Sequence, residues 1–184
     1  VRPQLIAAVD EARDLGWHWD LILNETCSGT MADPSLPDQL LEDNRPVIST
    51  WDDLHHAAVT CDWELLADYV QDGSNIRVTF GEPIHPLELW RYEEAIGYQP
   101  MYYLAEILRR PHTVTDMDTP NLTYVWPSAF IGEWDQVAEA DRQALKPLYT
   151  EADLQEFAQW GGYFGYRVGI DGNTGEWVFF LQGD

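Results

Sequence analysis

The spacing of apolar residues predicts helices in the first half of the chain, separated by a long loop. A first helix is predicted from apolar side chains at helical spacing, namely Leu5, Ala8, Val9 and Ala12. Residues 24–49 show no sustained period and contain three prolines, a pattern typical of a loop. After this loop, Thr50 and Asp53 form a capping signature, and Asp62 is the expected N-cap of a further helix.

Further along the chain the pattern predicts strands between helices. Apolar residues alternate with polar ones at Ile76, Val78 and Phe80, as in a strand with one face in water. Four helical segments follow: 85–97, 99–111, 133–146 and 150–161. A second strand is expected at 121–127, and residues 166–184 are expected to form a closing hairpin with its turn at DGNTG. The last strand, EWVFFL, is apolar on both faces, which predicts a central position in the sheet.

These elements predict an α+β protein whose helices pack on a curved, mostly antiparallel sheet that ends in a long C-terminal β-hairpin. A length of 184 residues suits one domain. We therefore expect residues 1–49 to form an N-terminal helix and long loop that pack as an extension. Residues 50–184 are expected to form a single α+β domain.

Negative charge dominates the composition. The chain carries 32 Asp and Glu against 10 Lys and Arg, a formal net charge of -22, and the acidic residues are spread along its whole length. Because Lys and Arg hold nucleic acids and anionic membranes, we expect neither as a partner. The acidic coat fits a solvated surface, and it also fits a surface for cations or a basic partner. No D-x-D-x-D-G sequence indicates calcium, and we expect no metal or other cofactor.

The two cysteines, Cys27 and Cys61, lie outside any CxxC or Cys and His pattern that would indicate zinc. Their spacing fits a disulfide that joins the loop to a helix, and it fits two separate thiols equally well. No apolar stretch approaches the length of a membrane span. The chain begins at Val1 rather than Met, which fits either a removed signal peptide or a trimmed chain. We expect a secreted or cell-surface protein.

Three residues are candidates for acid–base catalysis. Glu82 and His85 occur in GEPIHP, directly after a predicted strand, and Asp62 lies between two predicted helices. Loops at strand ends often carry functional groups, and a rigid Glu and His pair can act as acid and base. The alternative is a proline-rich turn with a surface histidine. GxSxG is absent, and nine tryptophans exceed what one core of this size usually needs, so the sequence favours a binding protein over an enzyme.

A second cluster of titratable side chains lies within about one helical turn: Asp52, Asp53, His55 and His56. A carboxylate one turn away from an imidazole raises its pKa and orients it. Aspartates also collect at helix starts because of the helix dipole. A cap with solvated histidines is therefore the alternative.

Candidate ligand-binding residues occur in the last part of the chain. In YFGYRVGI, Arg167 shares one strand face with Tyr163 and two glycines, which permits close approach of backbone, ligand or partner. Arg167 can bind a carboxylate, or it can pair with Glu176 or Asp171. Large rigid contact area is offered by three aromatic candidates: Tyr124, Trp126 and Trp177.

Two stretches of the chain resemble NTF2-like domains of the SnoaL type. In LHHAAVTCDWELLADYVQDGSNIRVTFG, two helices with a central Asp and Trp lead into an aspartate-containing turn and a strand, and GEWVFFLQGD is similar to the closing strand of such domains. The resemblance implies a curved sheet wrapped by helices around a cone-shaped cavity, used for catalysis, ligand binding or dimerisation. Between its strands, however, this chain has more helix than the family pattern.

Three functions fit these features. The first is an extracytoplasmic domain, monomeric or homodimeric, that binds a small molecule or a protein partner through an aromatic-lined concave face. The second is a small hydrolase or isomerase with Glu82 and His85, or Asp62, beside Arg167 in a cavity. The third is an acidic accessory subunit of a larger assembly.

Overall fold

The computed structural model of this chain describes residues 27–37, 44–71, 76–78, 85–115 and 122–183. The described residues contain six α-helices: α1 (Arg45–Thr60), α2 (Trp63–Tyr69), α3 (Pro86–Ala95), α4 (Pro100–Leu108), α5 (Glu139–Leu145) and α6 (Glu151–Trp160). They also contain four strands: β1 (Thr113–Thr115), β2 (Thr123–Trp126), β3 (Arg167–Asp171) and β4 (Trp177–Leu181). Short 3₁₀ helices lie at Ser28–Met31, Ser128–Phe130 and Trp134–Gln136. The predicted N-terminal helix lies outside the described residues.

The four strands form one antiparallel sheet in the order β1-β2-β3-β4, and the sheet is open rather than closed into a barrel. β3 pairs with β2 on one side and with β4 on the other. The hairpin of β3 and β4 ends the described chain. The predicted α+β class, with helices, an antiparallel sheet and a C-terminal hairpin, is confirmed.

The position of β4 differs from the central position that its apolar sequence predicts. β4 is the last strand in the order, and its outer edge meets a parallel bridge at Arg77. The Arg77 N–H donates to Val178 O at 2.9 Å, and the Phe180 N–H donates to Arg77 O at 3.0 Å. An apolar sequence indicates that both faces of a strand are buried. It does not indicate which strands hydrogen-bond to its two edges, and those bonds decide its place in the sheet.

α1 begins five residues before the predicted capping signature. Asn44 is its N-cap, with the side chain accepting the Val47 N–H at 3.3 Å, and Pro46 lies in the first turn. Thr50 is buried inside the helix and donates its hydroxyl to Gly175 O at 2.6 Å. The capping role predicted for Thr50 is therefore wrong. The division at residues 49 and 50 falls within α1, and the two-part domain organisation stays a prediction.

The other predicted helix starts agree with the structure in part. Asp62 caps α2 and accepts the Leu65 N–H at 2.9 Å. Thr150 and Asp153 form a complete capping box at the start of α6. The single helix expected over 133–146 is instead a 3₁₀ helix, Trp134–Gln136, followed by α5.

A disulfide holds the Ser28–Met31 helix against the end of α1. Cys27 and Cys61 are joined with an S–S distance of 2.00 Å, which decides between the two alternatives that their spacing left open. The backbone at Gly29 lies so close to α1 that a β-carbon there would overlap the carbonyl oxygen of Ala58. Glycine is therefore required for this packing.

The strand register sorts the side chains of the sheet onto two faces. Tyr124 pairs with Ile170, which pairs with Trp177, so these three side chains share one face. Trp90 of α3 stacks on Trp177 with ring centroids 5.1 Å apart. On the same face, Tyr103 of α4 stacks on Tyr166, which lies directly before β3, with ring centroids 4.6 Å apart. This face is the one that the helices cover.

The second face of the sheet carries Arg167, Gly169 and Phe179. Gly169 pairs with Phe179, and a β-carbon at Gly169 would overlap the Phe179 ring. Phe130 packs edge-on against Phe179, with centroids 6.5 Å apart. The glycine in β3 thus makes room for an aromatic ring of the neighbouring strand.

Candidate functional site

The three aromatic candidates lie together on the helix-covered face. Tyr124 and Trp126 stack with centroids 6.4 Å apart, and the His112 ring lies beside both, at 5.5 and 5.4 Å. Their exposed fractions are 7% for Tyr124, 0% for Trp126 and 5% for Trp177. These rings belong to the hydrophobic core, and other side chains of the protein cover them.

Arg167 lies on the opposite face from the aromatic candidates. Its exposed fraction is 6%, and its guanidinium carbon lies 4.8 Å from the centroid of the Phe130 ring, a cation–π contact. Other side chains of the protein also occupy the space beside the neighbouring glycines. A β-carbon at Gly165 would overlap the hydroxyl groups of Tyr149 and Tyr163. Side chains of the protein therefore occupy the glycine-rich face.

The acid–base candidates have different environments. The Asp62 carboxylate is engaged as the cap of α2. His85 is exposed at the N-cap position of α3, and its side chain makes no capping hydrogen bond. Glu82 lies outside the described residues, so its pairing with His85 stays a prediction.

A group of three tyrosines fixes the chain that leads into β3. The Tyr149 and Tyr163 hydroxyls lie 2.9 Å apart, Tyr163 donates to Tyr166 O at 2.5 Å, and the Tyr166 N–H donates to the Tyr149 hydroxyl at 2.9 Å. Burial raises the pKa of all three phenols above the ordinary value for tyrosine. The arrangement is a hydrogen-bonded support for the hairpin.

Two buried carboxylates were not predicted from the sequence. Glu94 accepts the Ser28 N–H at 2.7 Å, the Ser28 hydroxyl at 2.6 Å and the Met101 N–H at 2.9 Å. It therefore joins α3, the start of α4 and the Ser28–Met31 helix. Charged residues in a helical pattern are normally assigned to the surface, and nothing in the sequence near Glu94 indicates burial.

Glu106 is the centre of an ion-pair cluster at the end of α4. Its Oε2 lies 3.1 Å from Arg109 Nη1 and 2.7 Å from Arg110 Nη2, and its Oε1 accepts the Asp33 N–H at 3.0 Å. Arg109 Nη2 also lies 2.7 Å from Asp33 Oδ2. The spacing of Glu106 to two following arginines is the one signal for this cluster in the sequence.

His55 is the titratable group beside this cluster. It is 3% exposed, and its Nε2 has no hydrogen-bond partner among the described residues. Burial is the main cause that lowers the pKa of His55, and the charge of Arg109 acts in the same direction. A hydrogen bond to the Asp33 backbone, Glu106 and Asp52 oppose these effects.

The neighbouring carboxylate in α1, Asp53, has a different partner from the histidine that its spacing suggests. It accepts the Tyr69 hydroxyl at 2.7 Å, which joins α1 to α2. Burial, together with this hydrogen bond, raises the pKa of Tyr69 to about 12. His56 is exposed.

Five arginines in the described part of the chain are held by groups of the chain itself. Arg142, for example, lies 3.1 Å from Glu139 Oε2 and donates to Trp134 O at 3.0 Å. The others bind carboxylates or cover aromatic rings: Arg91, Arg109, Arg110 and Arg167. Because the chain has 32 acidic residues against 10 basic ones, most of its carboxylates cannot each have a basic partner of their own.

Comparison with known proteins gives no match to a protein-family model, a curated protein or a solved structure. The resemblance to NTF2-like domains therefore stays a prediction. Within the described ranges, no three or more His, Cys, Asp or Glu side chains are grouped to hold a metal ion. None of the described helices combines the length and apolar character that crossing a membrane requires.

Proposed function

We propose that this protein is an extracytoplasmic binding domain that uses its acidic surface to bind a basic protein or peptide. The observation that carries the proposal is the internal use of the arginines. The net charge is -22, and five arginines of the described part are engaged with the chain's own carboxylates and rings. An uncompensated negative surface attracts positively charged partners and raises the rate of their association.

The positions of the tryptophans favour this acidic surface over an aromatic-lined one. Seven of the nine tryptophans are described, and five of these are buried: Trp51, Trp90, Trp126, Trp134 and Trp177. Trp63 is half-buried under Arg91, and Trp160 is exposed. In the described part of the chain, Trp160 is therefore the one tryptophan ring that is largely open to a partner.

The disulfide supports an extracytoplasmic location. Cys27 and Cys61 are bonded, and such bonds persist mainly in oxidising compartments. Thiol labelling of protein isolated from its source, without reductant, tests the location. We expect no labelling before reduction and two labelled cysteines after it. Labelling of both cysteines without reductant would contradict the location.

Binding is tested with two short peptides of equal length, one alternating Arg with Ser and one alternating Glu with Ser. We expect calorimetry to detect binding of the arginine peptide alone, with an affinity that falls between about 50 mM and about 300 mM salt because screening grows with ionic strength. Equal binding of both peptides, or no binding of the arginine peptide at low salt, would contradict the proposed function.

A further inference from the structure

We propose that the outward face of α6, with Trp160 at its end, is the surface on which an arginine-rich segment of the partner docks. This inference rests on the proposed function and names the place on the molecule where it is carried out. Three observations lead to it: the way α6 is attached, the exposure of Trp160, and the exposed acidic residues at the same end of α6.

α6 is attached to the molecule through Phe157, its one buried residue. The Phe157 ring packs edge-on against Trp134, Tyr149 and Tyr163, with centroids 5.5, 5.3 and 5.2 Å away. Leu154 adds a partly buried contact. Seven positions of the helix are exposed: Glu151, Ala152, Gln155, Glu156, Ala158, Gln159 and Trp160. More than half of this helix thus faces away from the core.

Trp160 is the most exposed of the described tryptophans, at 67%. It makes no ring stacking or cation–π contact within the described part of the chain. The same chain covers two other rings with arginines, since Arg91 lies 5.2 Å from the centroid of Trp63 and Arg167 lies 4.8 Å from that of Phe130. The Trp160 ring has a free face of the kind that the chain elsewhere fills with a guanidinium.

Exposed acidic residues lie at the same end of α6 as Trp160. Glu156 lies one helical turn before Trp160 and is exposed. The Trp134 N–H donates to Gly161 O at 3.0 Å, which brings the exposed residues Glu133 and Asp135 to the same end of α6. The C-terminal end of a helix also carries partial negative charge.

Charge complementarity identifies the occupant. An arginine combines a positive charge with a flat group that stacks on an indole ring, and its donors suit neighbouring carboxylates. Lysine offers the charge without the flat stacking surface, so we expect arginine to be preferred. Exposed tryptophan and arginine are also residues that frequently dominate binding at interfaces.

The experiment measures affinity for the alternating Arg and Ser peptide in four variants of the full chain. Trp160→Ala is expected to weaken binding about 5-fold to 30-fold, the range for a desolvated cation–π contact, and Glu156→Gln is expected to weaken it about 2-fold to 5-fold. Tyr98→Ala and Glu88→Gln are the matched controls, because both residues are exposed on other parts of the molecule. Each control should bind as the wild type does.

Thermal unfolding of all four variants checks that the fold is retained, which is expected because the substituted side chains are exposed. If the wild type binds the peptide and Trp160→Ala binds it equally well, the docking surface is wrong while the proposed function stands. If Tyr98→Ala weakens binding as much as Trp160→Ala does, the surface is also wrong. If the wild type does not bind at low salt, both proposals fail.

Discussion

The ring of Phe179 fills the space beside Gly169 on the neighbouring strand, at the position where any other residue would place its side chain. Phe179 in turn packs against Phe130, whose ring lies under the Arg167 guanidinium. In the sequence, Gly169 suggests a space beside the strand that a ligand or partner could enter. In the structure, the Phe179 ring occupies that space.

Gly169→Ala is expected to destabilise the protein. The added β-carbon would overlap the Phe179 ring, and overpacking of this kind costs about 1–3 kcal/mol. Urea unfolding measures the change in the free energy of unfolding. Gly162→Ala is the control, since a β-carbon there makes an ordinary contact of 3.5 Å with Phe164. Equal stability of the two variants would show that Phe179 does not occupy this space.

Removal of the disulfide is expected to lower stability without changing the fold. The bond closes a loop between residues 34 positions apart, and the loss of this constraint on the unfolded chain costs about 3–4 kcal/mol. Cys27→Ser with Cys61→Ser should therefore unfold at a lower urea concentration than the oxidised wild type. Reductant should lower the wild-type midpoint and leave the double variant unchanged. A midpoint that reductant does not move would contradict the bond.

Glu94→Ala is expected to destabilise the protein by about 2–3 kcal/mol, because it leaves the Ser28 and Met101 donors without their acceptor in a buried place. Glu88→Ala on the same helix is exposed and serves as the control. A double-mutant cycle with Ser28→Ala should give a coupling energy of about 1 kcal/mol or more. Additive effects of the two substitutions would mean that the side chains do not interact.

We expect the free energy of unfolding to decrease as the pH is lowered below about 6.5, because of His55. The pKa of His55 in the folded state is lowered from 6.5. Between that lowered pKa and about pH 6.5, His55 is therefore protonated in the unfolded chain and neutral in the folded protein. The loss is at most about 1.4 kcal/mol per pH unit and ends once pH falls below the folded pKa. Above about pH 6.5 the group contributes no pH dependence.

The variants His55→Leu and His56→Leu separate this effect from general acid denaturation. The slope of unfolding free energy against pH, measured between about pH 6.5 and 5, should decrease in His55→Leu because the proton-binding group is gone. His56 is exposed and its variant should keep the wild-type slope. An unchanged slope in His55→Leu would contradict the role of His55.

Local sequence determined most of the element types and several of their ends. The caps at Asp62 and at Thr150 with Asp153 use side chains close in sequence to the helices they start, so a short pattern is enough to find them. The expected cap at Thr50 is wrong because α1 begins earlier, at the cap Asn44, which leaves Thr50 inside the helix with its hydroxyl donating to Gly175 O. The cap at Asn44 is local in sequence, whereas Gly175 lies 125 positions from Thr50 and no local pattern indicates that partner.

The candidate residues depended still more on tertiary structure. Alternation in the sequence places Arg167 and Gly169 on one face of a strand. Only the pairing of β3 with β4 brings Phe179 beside Gly169, and only the pairing of β2 with β3 places Tyr124 on the opposite face from Arg167.

The acidic excess and the existence of two cysteines are properties of the sequence alone. The disulfide between Cys27 and Cys61, the burial of Glu94 and the open ring of Trp160 follow from packing between segments distant along the chain. Periodicity shows which side of an element is apolar. It does not show which element will cover that side, because coverage depends on contacts that form between distant parts of the chain only when the chain folds.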